Sequence, residues 1–151
     1  MDPVTALSLA CGAVQLVETG VKITKQIKEV YEYGSDSALE NISLWTDQLS
    51  TGWRQLQQEV QNTGPIRTSF DLRIRQLVTT AIDHAVKLED LLKRIAPPQG
   101  QPEKRSNYLQ RTFRAVAQVS RANIKKVEIE HLSARLRECR SDIDSAILNV
   151  L

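Results

Sequence analysis

This 151-residue chain is short of the residues that usually announce chemistry: two cysteines, two histidines, one methionine and 5% aromatics. Cys11 and Cys139 each fall in an apolar setting on an expected helix, where free thiols behave as small hydrophobes, so both are expected to be inert core residues. A chain of this length can bury a core without disulfides or metals. His84 and His131 stand apart from any cysteine, serine or carboxylate at a useful spacing; Asp83 precedes His84, but adjacent helical residues point in different directions. No glycine-rich phosphate loop and no zinc-type Cys/His spacing occurs. The expectation is a non-enzyme without a cofactor.

Lysine and arginine are absent from the first 21 residues, and Asp2 stands where a secretory signal would carry basic residues. No strictly apolar run reaches about 18 residues, so no constitutive membrane span is expected. These absences point to a cytoplasmic resting state. Basic residues gather instead between Pro102 and Lys126: Lys104, Arg105, Arg111, Arg114, Arg121, Lys125 and Lys126 face Glu103 alone, a local charge of +6. With +2 overall, the remainder carries −4. This segment reads as a solvated face, as an attractor for anionic lipid headgroups, or as a contact for an acidic partner helix. It carries no recognisable reading motif, so nucleic acid is not an expected partner.

What is present is helical periodicity. Asp2-Pro3 is a strong helix start, and the helix runs to about Tyr33, before Gly34-Ser35-Asp36. Ser37-Ala38-Leu39-Glu40 spells a capping box for a second helix with Leu39, Ile42, Leu49, Trp53, Leu56 and Val60 on one face, Trp45 at its edge, and a break at Asn62–Pro65. A third, from about Phe70 to Ile95, aligns Ile74, Leu77, Val78, Ala81, Ile82, Ala85, Leu88, Leu91, Leu92 and Ile95. After the proline-rich 96–102 loop, Ser106 caps a shorter basic helix with Leu109, Phe113 and Val116, and a last helix begins near Ile124. Helices of roughly 24 to 31 residues extend on the order of 35–45 Å. Joined by short loops they pack antiparallel. The expected fold is all-α: one domain, four long helices and one shorter one.

The first half of the first helix is apolar on nearly every side: Val4, Leu7, Leu9, Cys11, Val14, Leu16, Val17 and Val21 mix with Ala6, Ala10, Gly12, Ala13 and Gly20. Such a helix is central to a core or bound for a membrane. The simplest packing places residues 3–21 in the middle of the bundle. Glu18 interrupts this run, and a carboxylate in lipid needs a partner or water.

Met1-Asp2-Pro3-Val4-Thr5-Ala6-Leu7-Ser8-Leu9-Ala10, then Val14-Gln15-Leu16-Val17-Glu18 and Lys28-Glu29-Val30-Tyr31, resembles the start of N-terminal domains from fungal NLR-type receptors. The stretch from Ile124 to Leu151 is similar to their closing helix. The family is the HeLo-like one, related in architecture to the four-helix domains of the mixed-lineage kinase-like pseudokinase and of plant coiled-coil immune receptors. The resemblance implies a cell-death or incompatibility effector domain of a larger receptor, preceding a NACHT or NB-ARC nucleotide-binding module. It implies self-association, exposure of the first helix and insertion into the plasma membrane. Carried onto this chain, the inserting residues are Val4, Leu7, Leu9, Ala10, Gly12, Ala13, Val14, Leu16, Val17, Glu18 and Val21. Only Gly12 and Gly20 are glycine there, so a strong glycine zipper is absent. The alternative, from another class, is an adaptor bundle that signals through protein contacts and never enters lipid.

Overall fold

The computed structural model describes residues 3–33, 41–95 and 126–149. Among them are four helices: α1 (Pro3–Tyr33), α2 (Ile42–Gln61), α3 (Ser69–Ile95) and α4 (Lys126–Leu148). The described part is an all-α bundle, as the periodicity predicts. The Asp2 cap, the Ser37–Glu40 box and the shorter helix, with Lys104, Arg105, Arg111, Arg114, Arg121 and Lys125, lie outside the described residues; Lys126 opens α4.

Cross-helix contacts fix the directions. Glu18 of α1 pairs with Arg140 of α4; ten residues further along α1, Lys28 Nζ lies 3.8 Å from Glu130 Oε1, ten residues earlier in α4. The two helices are therefore antiparallel. Gly12 meets Leu56 and Leu16 meets Gly52, so α1 and α2 are antiparallel too. Trp53 with Glu89, and Thr63 with Arg75, set the same relation for α2 and α3. The order is up-down-up-down. α1 and α3 run parallel across the short diagonal and each packs on all three other helices, while α2 and α4 lie on the flanks and share no comparable interface.

The residues 62–68 between α2 and α3 are held by polar contacts that also start α3. Thr63 donates to the Val60 carbonyl through its amide and its hydroxyl, and Arg75 reaches back to Thr63 Oγ1 (2.6 Å) and the Gly64 carbonyl. Thr68 and Asp71 form a reciprocal capping box. The Asp71 amide donates to Thr68 Oγ1, and Asp71 Oδ2 accepts from the amides of Thr68 and Arg67. Burial pushes the Asp71 carboxyl up, but these hydrogen bonds outweigh it and hold it below the usual carboxylate range.

The core is a single seam of apolar side chains from all four helices. Besides Asp71, a second carboxylate is buried against it: Glu89, 4% exposed, accepts from Trp53 Nε1 at 2.8 Å and lies 3.5 Å from Lys93 Nζ. A buried carboxylate persists only when so partnered.

Candidate functional site

Along α1 two stripes recur at alternating steps of three and four residues. Ala6, Ala10, Ala13, Val17, Gly20, Thr24 and Ile27, with Leu9, Leu16 and Ile23 beside them, are buried. Val4, Ser8, Cys11, Gln15, Glu18, Lys22, Lys25 and Glu29 face solvent. This is the 3.5-residue repeat of a helix whose seam stays on its partners. It corrects the expectation that residues 3–21 are enclosed in the middle: α1 touches every other helix yet keeps one wet side. The cause is chemical, since Ser8, Gln15 and Glu18 all fall on that side.

The eleven expected insertion residues therefore divide. Leu9, Ala10, Ala13, Leu16 and Val17 are core; Leu7, Gly12, Val14 and Val21 are half-buried; Val4 (76% exposed) and Glu18 are on the outside. The small residues have packing work. A methyl at Gly12 would fall 3.1 Å from Leu56 Cδ1, and one at Gly20 3.1 Å from Leu136 Cδ1 and 3.7 Å from Leu88 Cδ2. Both glycines thus admit a leucine from a neighbour. Glu18, read as a carboxylate in need of a partner, has one in Arg140, which also bonds Asp144 at 3.3 Å. Solvent-exposed pairs of this kind contribute little to stability.

Cys11 departs from the expectation of two buried thiols: it is exposed, whereas Cys139 is buried and donates to the Leu77 carbonyl at 3.8 Å. Burial, then Asp142 and Glu138, pushes the Cys139 thiol up to about 11. A thiol reagent is expected to modify Cys11 under native conditions and Cys139 at least about 100-fold more slowly, through opening of the bundle. Mass spectrometry of a labelling time course reads this directly; two thiols labelled at equal rates would contradict the packing of α1 and α4.

Sequence distance separates the histidines, and the fold brings them to one groove. His84 and Lys87 of α3 face His131 and Arg135 of α4 there, with Leu91 and Leu132 between them. His84 is 8% exposed, and its Nδ1 has no hydrogen-bond partner. Burial, then Lys87 and Arg135, lowers its pKa, while Asp83 and Glu138 act weakly the other way. The sign follows from linkage. Below about pH 6.5 the unfolded histidine takes up a proton that the folded one resists, so stability falls as the medium is acidified. Thermal melts at pH 7.5 and pH 5 should show this decline, and His84→Leu should flatten it. A wild-type melting temperature that rises on acidification is the contrary result.

The Val4–Glu29 stretch of α1 is long and apolar enough to cross a membrane by length and composition, a test that core helices also pass. Among the described residues no group of three or more His, Cys, Asp or Glu is placed to hold a metal ion. Comparison with known proteins finds no matching family, no matching curated protein and no matching solved structure.

Proposed function

We propose that this chain is a membrane-engaging effector domain of the HeLo-like kind, a non-enzyme that self-associates and exchanges the core contacts of α1 for lipid. The observation carrying this reading is the division of α1 into a continuous apolar seam and a polar stripe. In an assembly within a bilayer the same division serves again, with the seam against acyl chains and Ser8, Gln15 and Glu18 toward water. Leu9, Leu16, Val17, Ile23 and Ile27 are buried in the seam. At about 1.5–3 kcal/mol each, their exposure to water would forfeit on the order of 10 kcal/mol, comparable with the whole stability of a domain. Hydrocarbon restores that term and water does not. Release of α1 is therefore coupled to lipid or to assembly, with the nucleotide-binding module of a parent receptor as the trigger, anionic lipids as the surface met through the basic 104–126 segment, and transfer from cytoplasm to plasma membrane as the outcome.

Dye-filled vesicles containing anionic lipid test this together with a lipid-borne photoreactive carbene. The expected result is leakage, with carbene adducts on Leu9, Ala13 and Leu16 and few on Ser8 or Gln15. Intact vesicles at assembled protein concentrations, or adducts confined to other helices, would end the proposal.

One observation favours the adaptor alternative. Of the six large apolar residues exposed among the described ones, four (Val4, Ile66, Leu72 and Leu148) belong to the end of the bundle where α1 and α3 begin and α4 ends, and Leu44 and Val127 to the other end. Exposed apolar patches mark contact surfaces. Association abolished by Ile66→Asp and Leu148→Asp, with vesicles left intact throughout, would assign the chain to that class.

A further inference from the structure

The α3–α4 groove is unusual in its charge. Lys87 and Arg94 on α3 and Arg135 on α4 line it, against the single carboxylate of Glu128. None of these three cations forms a salt bridge with a described residue, whereas Lys28, Lys93 and Arg140 all do. Three cations gathered along a concave surface, none bonded to a described carboxylate, raise a positive potential there, which Asp83 and Glu138, just outside the lining, offset only in part. Two imidazoles join them, and the better buried one, His84, carries the unpartnered nitrogen. The pattern is donor-rich: ammonium and guanidinium groups offer only donors, and each neutral imidazole adds one N–H.

We propose that this groove binds a phosphate-bearing ligand. A phosphate monoester carries nearly two negative charges and three acceptor oxygens at neutral pH, which suits three cations better than the single charge of a carboxylate. The Arg135 and Arg94 guanidinium groups suit two-pronged contact with phosphate oxygens, Lys87 adds a point charge, and Leu91 and Leu132 form an apolar floor for whatever the phosphate is attached to. The site is built from α3 and α4 alone, so it does not rest on α1 leaving the bundle.

Tripolyphosphate, and separately phosphatidylcholine vesicles containing phosphatidic acid, are titrated into the folded chain while the ring resonances of His84 and His131 are followed by NMR. The expected result is a saturable shift at both histidines, with affinity weakened roughly tenfold or more in Lys87→Gln/Arg135→Gln. Both substituted residues are exposed, so the bundle should keep its fold; unchanged thermal melts check this, and Lys22→Gln on α1 is the control. Response to tripolyphosphate alone assigns a soluble ligand, response to the vesicles alone assigns a lipid headgroup, and either supports the site. No saturable shift with either probe, equal binding by the double variant, or the same response to sodium chloride or a glutamate peptide at matched ionic strength would overturn it.

Discussion

Leu9→Asp is expected to unfold the bundle in water, before any membrane is involved. Leu9 is 2% exposed in the seam of α1. The substitution removes about 1.5–3 kcal/mol of apolar burial and leaves a carboxylate with no partner in the core, a further cost of several kcal/mol. Together these approach the 5–15 kcal/mol that holds a typical domain. Val4→Asp, on the same helix but facing solvent, should melt near the parent temperature. Circular dichroism during thermal and urea unfolding separates the two cases. A Leu9→Asp chain that melts like the parent would mean that α1 is not docked as described. Lost leakage in Leu9→Asp, or after removal of residues 1–20, therefore reports a lost fold rather than blocked insertion. The carbene experiment avoids that confusion because it uses the unaltered chain.

The second large effect is expected at the meeting point of three helices. Gly20 of α1 admits Leu136 of α4 beside Leu88 of α3, and even a single methyl there would lie 3.1 Å from Leu136 Cδ1. Gly20→Leu adds three carbons beyond that methyl to a filled space, and overpacking of this kind costs about 1–3 kcal/mol or more. Leu136→Ala opens a cavity in the same place and costs about 2–5 kcal/mol. Because the two side chains compete for one volume, Gly20→Leu/Leu136→Ala should be more stable than the sum of the single changes by at least about 1 kcal/mol. Denaturant unfolding of the four chains measures the coupling. Strict additivity would show that Gly20 and Leu136 do not share this contact.

Helix positions were legible because long amphipathic segments repeat their signal many times. The third helix, expected from about Phe70 to Ile95, spans Ser69–Ile95, and its aligned Ile74, Leu77, Val78 and Leu88 are core. Trp45, expected at the edge of its face, is on the seam: Ile42, Trp45, Leu49 and Leu56 are the buried stripe of α2, and Trp53 and Val60 are only partly buried beside it. The first helix misleads when its apolar residues are counted without their phase. Ser8, Gln15 and Glu18 already lie at the seven- and three-residue spacings of one stripe, and Cys11 falls between them, so its exposure follows from the same repeat.

The groove was harder to see. His84, Lys87 and Arg94 follow each other along one face of α3, and Glu128, His131 and Arg135 along one face of α4, so each half is readable alone. Their meeting depends on the antiparallel register of two segments about fifty residues apart, which local spacing does not encode. Glu18 with Arg140, and Trp53 with Glu89, were hidden for the same reason.

The parallel pair on the short diagonal sets what happens when one of its members departs. With α1 absent, α3 is the one described helix that packs broadly on both remaining neighbours, like the spine between two covers. The surfaces of α2 and α4 that had clasped α1, marked by Leu56 on one and Leu136 on the other, would then lose that cover. If α1 leaves as proposed, such a three-rod remnant would shut by folding its covers toward each other or by taking the spine of a second copy into the gap.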